Sequence, residues 1–242
     1  MEMMRTLVII PAYNEEKQIA SVIRLIKRHL PQAEVLTVDD GSKDGTRDQA
    51  MEAGVKVLSH PFNLGYGIAL QTGYKYALTK GFEIVVQMDG DGQHDPSFLP
   101  DLLAVIQKGE ADIAIGSRFL PVKGKGGGSE HPPYRPPFLR RLGMKFFGTI
   151  ASLLIRQKIT DPTSGFQAMN RRVLEWVSSD TFPFDYPDAD VIIMLHRAGF
   201  RIREVPVQMF ENVGKKSMHS GWKPLYYVFK MCLSILVTLM RE

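Results

Sequence analysis

The chain has little thiol chemistry to offer: its 242 residues include one cysteine, Cys232. A single cysteine excludes an internal disulfide and suits a reducing compartment. Long apolar runs are missing as well. The opening stretch "MEMMRTLVIIPAYNEE" has an apolar segment too short for a secretory signal and reads as a first strand. The run from Leu225 to Met240 is sixteen residues long and is interrupted by Lys230. That falls short of the roughly 20 apolar residues that span a bilayer. No internal repeat is visible.

Acids are absent from two long stretches. Between His131 and Thr160 stand six basic residues (Arg135, Arg140, Arg141, Lys145, Arg156, Lys158) and no Asp or Glu. From Asn212 to Arg241 stand five (Lys215, Lys216, Lys223, Lys230, Arg241), again without an acid. The net charge is only +4, so the asymmetry matters more than the sum. One end of the protein favours an anionic partner such as a membrane surface, a phosphate or a nucleic acid.

What is present is an ordinary globular composition, 44% hydrophobic and 23% charged, with enough length for one large α/β domain or two small ones. The first half alternates short apolar runs with helical patterns. "TLVII", "EVLTV", "VKVLSH", "FEIVVQM" and "ADIAIGS" read as strands. Ile19, Val22, Ile23 and Ile26 recur at helical spacing between the first two. This alternation predicts a mostly parallel sheet covered by helices on both faces. Such sheets bind ligands beyond the carboxyl ends of their strands. "PAYNEE", "DDGSKDG" and "DGDGQHD" all fall at such ends. Asn14 is expected to cap the first helix, and Ser42 or Asp44 the second.

Further along, Leu120 to Pro137 is rich in Gly, Pro and charge and reads as a loop or linker, a candidate lid. "FLRRLGMKFFGTIASLLIRQK" is basic, apolar and helical in spacing. "DPTSGFQAMNRRVLEWV" reads as a turn leading into a helix, "DADVIIMLHRAG" as another helix and "FRIREVPVQMF" as a strand. The segments Phe138–Lys158 and 223–242 fit interfacial helices, with lysines toward lipid headgroups. Packing in the core is the competing reading.

Asp89 and Asp91, two residues apart after the fourth strand, present two carboxylates to one region. Crowded acids repel unless a cation sits between them. Mg²⁺ and Mn²⁺ take oxygen ligands and commonly keep substrate phosphate oxygens in their shell. The carboxamide of Gln93 adds a third oxygen. His94 and His131 could act as bases, although a lone polar histidine on a loop is most often just solvated.

"VIIPAYNEE", "VDDGSKDGT", "NLGYGIALQTGYKYA", "QMDGDGQHDP", "IGSR" and "DPTSGFQAM", in this order, resemble the family 2 glycosyltransferases of GT-A fold. The branch they resemble includes dolichol-phosphate mannose synthase and the bacterial polyprenyl-phosphate sugar transferases. The likeness runs over about residues 5–210, which implies a catalytic domain over 1–210 and a basic loop with a C-terminal membrane-associated helix over 211–242.

The resemblance implies that Pro11, Tyr13 and Glu15 line a nucleotide pocket, that Asp39 binds the base with Asp40 beside it, and that Asp89, Asp91 and Gln93 hold Mg²⁺ or Mn²⁺ against a diphosphate with Gly90 between them. It implies that Arg118 meets a donor or acceptor phosphate, and that Asp161 and the turn Ser164–Phe166 lie toward the acceptor. Lys215 and Lys216 stand where relatives carry a phosphate-contacting arginine nearby, at the position of Asn212. The implied reaction moves a hexose, from a donor of the GDP-mannose or UDP-glucose type, to a polyprenyl phosphate with inversion. The implied partners are that donor, that lipid and a membrane surface at its cytoplasmic face, rather than nucleic acid. A membrane-protein partner or a homo-oligomer stays open. A phosphate monoester is mostly a dianion at neutral pH, with a second pKa of about 6, and attacks without a base. Alternatives are a family 2 enzyme with a hydroxyl acceptor, which needs a base, a sugar nucleotidyltransferase, and a non-catalytic scaffold.

Overall fold

The computed structural model describes residues 4–122, 138–179 and 189–210, with Leu233 alone beyond them. Seven strands form one sheet: β1 Thr6–Ala12, β2 Glu34–Asp39, β3 Lys56–Ser59, β4 Ile84–Gln87, β5 Ile113–Ser117, β6 Gln167–Asn170 and β7 Ile202–Pro206. Their order is β3-β2-β1-β4-β6-β5-β7. All pairings are parallel except those of β6, which runs antiparallel to both β4 and β5.

Every residue of β1 is buried. Leu7 and Ile9 enter one core, Val8 and Ile10 the other. A strand covered on both faces carries an unbroken apolar run, which is why "LVII" shows no alternation. Helix α1, Ile19–His29, packs on the second core through Ile19, Val22, Ile23 and Ile26. Each such buried side chain contributes about 1.5–3 kcal/mol. Lys27, Arg28 and His29 close the helix, where positive charge meets the negative end of its dipole. Helices α2 (Thr46–Glu52), α3 (Tyr66–Thr79) and α4 (Leu99–Gln107) follow as the spacing predicts.

Two expectations need correction. The stretch from Asp161 is a turn and then strand β6, before helix α6, Arg171–Val177, begins. Ala168 and Met169 point to opposite cores, so β6 fills the space between β4 and β5. Asn170 caps α6 by accepting from the Val173 N–H at 3.1 Å. Asn14 does not cap α1. That helix begins at Ile19, after Gln18, without a side-chain cap.

Helix α5, Phe138–Ile155, is amphipathic in an unusual way. Phe147, Ala151 and Ile155 pack into the core, while Phe146, Leu153 and Leu154 are exposed. The core-packing reading holds for one face of the helix, and the other face leaves these apolar side chains exposed. Helix α7, Ala189–Arg197, packs beside α5. No helix among the described residues is long and apolar enough to cross a membrane. Residues 123–137 of the expected Leu120–Pro137 loop, the expected C-terminal helix, Lys215 and Lys216 lie outside the described residues, Leu233 excepted.

Candidate active site

The crevice begins where β1 and β2 end together, with Ala12 opposite Asp39. The loops that follow are laced to each other. The Asn14 N–H donates to Ser42 Oγ at 2.9 Å, and the Lys43 N–H donates to Asn14 Oδ1 at 2.9 Å. The Glu15 N–H donates to Thr46 Oγ1 at 2.7 Å, and the Gly45 N–H to Glu16 Oε2 at 2.9 Å. Asn14 therefore binds loop to loop instead of capping a helix, and its φ of 56° is one that asparagine tolerates. Neither Ser42 nor Asp44 caps α2, whose N-cap is Gly45 without a side-chain bond; Asp44 takes the amide of Thr46, the first helical residue, at 3.0 Å. Burial pushes its pKa up, but the hydrogen bonds from Thr46 outweigh this and hold it below the ordinary carboxylate value.

Pro11 is buried at the end of β1, and Tyr13 is 41% exposed at the crevice mouth. Asp39 is buried and accepts from the Ser42 N–H at 3.1 Å. Asp40, expected beside the donor, turns its oxygens to the chain itself. Oδ1 meets His60 Nδ1 at 2.7 Å and the Leu64 N–H at 2.9 Å, and Oδ2 takes the Gly65 N–H at 2.8 Å. A buried carboxylate needs such donors, and these hold the 60–65 loop against the sheet. Gly41 allows that approach. Its φ is +71°, and a Cβ there would lie 2.4 Å from the Phe62 carbonyl carbon.

The acidic loop leaves β4 with the Met88 N–H bonded to Ile9 O at 3.1 Å. The Asp89 N–H donates to His94 Nδ1 at 3.1 Å, and Asp91 Oδ1 accepts the Gln93 N–H at 3.0 Å. Gly90 lies buried between the two aspartates against Ile10 and Ile19. Asp95 is turned to a different task, capping the short turn Pro96–Phe98 through the Ser97 N–H. The loop is clamped from outside by an isolated bridge between His94 and Met209, and by the Phe210 N–H bonded to Gln93 O at 2.7 Å.

His94 is buried and stacks on Phe166 at 5.0 Å. Burial is the main cause that pushes its pKa down to about 4, although Asp91 and Asp161 pull it upward. Neutral, with Nδ1 accepting an amide, His94 carries its proton on Nε2, 3.6 Å from Asp89 Oδ2. With Nδ1 taken up by that amide, the ring has no free lone pair to offer as a base. His131 lies outside the described residues.

Arg118 follows β5 and is tied to Asp161. Its Nε donates to Oδ2 and its Nη2 to Oδ1, each at 2.6 Å, and its own amide adds a third bond at 3.1 Å. Nη2 also reaches Thr163 Oγ1 at 3.0 Å. Expected to meet a phosphate, the guanidinium is in this structure the fork that locks the Asp161 turn. Behind it, Glu204 of β7 accepts from the amides of Thr160 and Asp161. Burial raises the Glu204 pKa, and the Asp161 charge adds to the rise. Ser164 holds the same turn, its carbonyl accepting from Gln167 Nε2 at 2.8 Å. The turn brings Gly165 against Asp89, so residues far apart in sequence share one crevice.

Tyr66, at the start of α3, escaped sequence reading. Its hydroxyl donates to Asp89 Oδ1 at 2.9 Å and accepts from Gln87 Nε2 at 3.2 Å. Burial and the Asp89 charge keep its phenol protonated. The only hint was its place in "NLGYG", a turn between a strand and a helix. Glu204 shares strand parity with buried Ile202, but parity alone does not decide, since Arg203 shares it with buried Val205 and is exposed.

Asp89 has its pKa raised by burial, against the lowering effects of the Tyr66 hydrogen bond and Arg118. A partly buried carboxylate of this kind, with Asp91 and Gln93 beside it, suits a hard divalent cation. Among the described residues no group of three or more His, Cys, Asp or Glu is placed to hold a metal ion. The donor set fits an ion whose remaining positions go to phosphate oxygens.

Residues 7–177 match the Glycosyl transferase family 2 model. Polyprenol monophosphomannose synthase of Mycolicibacterium smegmatis is 34% identical over 94% of this chain and 85% of its own length. Undecaprenyl-phosphate mannosyltransferase of Micrococcus luteus is 31% identical over 90% of this chain and 89% of its own. Among solved structures, glucosyl-3-phosphoglycerate synthase from Mycobacterium tuberculosis in complex with Mn²⁺ and UDP-glucose superposes with a TM-score of 0.68 at 21% identity. It covers 97% of this chain and 78% of the other. The same enzyme with phosphoglyceric acid gives 0.71 at 22%, over 97% and 80%. A mostly parallel sheet with one antiparallel strand beside the Asp89–Asp91 loop is the GT-A arrangement, and the chain belongs to glycosyl transferase family 2.

Proposed function

We propose that the protein is an inverting hexosyltransferase that moves a sugar from a nucleoside-diphosphate donor of the GDP-mannose or UDP-glucose type to a polyprenyl phosphate. The observation that carries this reading is the Asp89–Asp91 pair, held at the strand ends beside Asp39 and the Asp161 turn. The names of the two relatives described above, both polyprenyl-phosphate mannosyltransferases, support the acceptor class.

Asp39 receives the base, with Pro11, Tyr13 and Glu15 around it. Asp89, Asp91 and Gln93 would hold Mg²⁺ or Mn²⁺ beside the diphosphate. The cation, when bound, neutralises charge on the departing nucleoside diphosphate. Asp89 is steadied for this by the Tyr66 hydroxyl, and Asp91 by the Gln93 amide. The acceptor's phosphate oxygen attacks the anomeric carbon from the face opposite the leaving diphosphate. A new carbon–oxygen bond forms as the old one breaks, and the configuration inverts. No proton has to leave a phosphate dianion, so a neutral His94 that only donates is compatible with the step. Arg118 keeps the Asp161 turn in place on the acceptor side, and Lys215 and Lys216 are proposed to add charge for the acceptor phosphate.

The exposed Phe146, Leu153 and Leu154 of α5, next to exposed Arg156 and Lys158, support peripheral contact with a membrane surface, proposed to be its cytoplasmic face. Purified protein incubated with GDP-mannose or UDP-glucose, Mn²⁺ and a short prenyl phosphate is expected to give a prenyl phosphosugar in a mass spectrum. Transfer to a saccharide hydroxyl with none to the prenyl phosphate would overturn the reading.

A further inference from the structure

We infer that Tyr66 is a positioning residue that fixes Asp89 for the cation and the donor diphosphate, as the last donor of a hydrogen-bond chain rooted in the sheet core; this rests on the function proposed for the site. The chain has four members. Tyr74, fully buried on α3, donates its hydroxyl to Gln87 Oε1. Gln87, 2% exposed at the end of β4, donates from Nε2 to the Tyr66 oxygen at 3.2 Å. Tyr66 donates to Asp89 Oδ1 at 2.9 Å.

The direction of the chain follows from donor arithmetic. An ionised carboxylate only accepts, and a phenol has one proton. Tyr66 must give that proton to Asp89, so its oxygen is left to accept from the amide. The Gln87 carbonyl is then left to accept from Tyr74. Reversing any link would set two lone pairs against each other in a buried place. Each bond therefore polarises the next toward Asp89.

The geometry is also protected on the far side. A Cβ at Gly165 would lie 2.9 Å from Tyr66 Oη and 3.4 Å from each Asp89 oxygen. A side chain at Gly165 would crowd the phenol oxygen, so the bare backbone leaves room for the phenol and the carboxylate to meet under this turn. With Oδ1 held by Tyr66, Asp89 cannot rotate freely, and its remaining lone pairs keep one orientation beside Asp91. Groups that orient a metal's ligands in this way typically change metal affinity by roughly 10–100-fold when removed.

The test is direct binding, read without turnover. Mn²⁺ affinity in the presence of UDP or GDP is measured by isothermal titration or by the free-Mn²⁺ resonance signal, for wild type, Tyr66→Phe and Tyr74→Phe. Tyr66→Phe keeps the ring and its packing, and is expected to weaken Mn²⁺ by roughly tenfold or more. Binding of the unphosphorylated nucleoside is expected to be unchanged. Tyr74→Phe, remote from the ion, is expected to weaken Mn²⁺ less but in the same direction, since it frees the Gln87 amide to turn over. In turnover, the Tyr66→Phe loss is expected to shrink as Mn²⁺ is raised. Mn²⁺ affinity within twofold of wild type in both variants overturns the role of Tyr66 and leaves the site reading intact. Wild type that binds no Mn²⁺ with either nucleotide overturns the site reading, and the inference with it.

Discussion

Replacing Asp161 by Asn tests how the acceptor side of the crevice is built. Asp161 is fully buried, and the Arg118 side chain is 11% exposed. The substitution keeps the shape but removes the charge, and it sets an amide group against one arm of the guanidinium. Breaking a buried ion pair from one side typically costs about 3–5 kcal/mol, because the surviving charge stays in a poor solvent. At roughly 2.1 cal/mol/K per residue, a chain of 242 residues carries about 0.5 kcal/mol/K at its midpoint, so Tm is expected to fall by about 6–10 °C. Differential scanning calorimetry gives both Tm and enthalpy. Removing both charges, as Arg118→Met with Asp161→Leu, is expected to recover part of the loss, since two well-packed apolar groups carry no stranded charge. A fall of less than about 2 °C for Asp161→Asn, on the same entropy scale, would refute the view of Arg118 as the lock of this turn.

Asp91→Ala is expected to abolish metal-dependent donor binding and turnover with the fold retained, and EDTA is expected to silence wild type; activity that survives either treatment contradicts the metal role. Asp112, at the opposite end of the sheet, accepts from Asn170 Nδ2 and from the Arg201 amide and guanidinium. Burial pushes its pKa up, but these bonds win and hold it below the ordinary value. A depressed carboxylate stabilises the fold above its unfolded pKa, near 3.9, and the contribution is lost as pH falls through the folded value. Asp112→Asn is therefore expected to lower stability at pH 7 by roughly 1–3 kcal/mol, and the gap to wild type is expected to close as pH falls below 4 in chemical denaturation. A constant gap from pH 7 to 3 would contradict this. Leu153→Asp with Leu154→Ser on α5 is expected to reduce binding to anionic liposomes in sedimentation assays without lowering Tm; unchanged binding would remove α5 from the membrane contact.

The parts of the fold that sequence exposes are those where one chemical pattern repeats. Ile19, Val22, Ile23 and Ile26 declare α1, and "LVII" declares a strand covered on both faces. Strand β6 has four residues, two of them polar, and no period to detect; it exists because the space between β4 and β5 needs a strand. The acidic loops stand out because polar residues at strand ends have no packing duty. Their partners do not. Arg118 and Asp161 are 43 residues apart, Tyr66 and Asp89 are 23 apart, and Asp40 chooses the 60–65 loop over the crevice. Which acid faces the ligand and which faces the chain is set by such distant pairings, and spacing does not encode them.

The stereochemistry and linkage of the product test the proposed reaction most directly. An α-linked nucleotide sugar, a prenyl phosphate and Mn²⁺ are incubated with the enzyme, and the product is followed by ¹H and ³¹P NMR. A β-linked sugar phosphodiester, formed one-for-one with free nucleoside diphosphate and abolished by Asp91→Ala, is the predicted result. An α-linked product, or a sugar joined through a hydroxyl oxygen with the prenyl phosphate untouched, would contradict it.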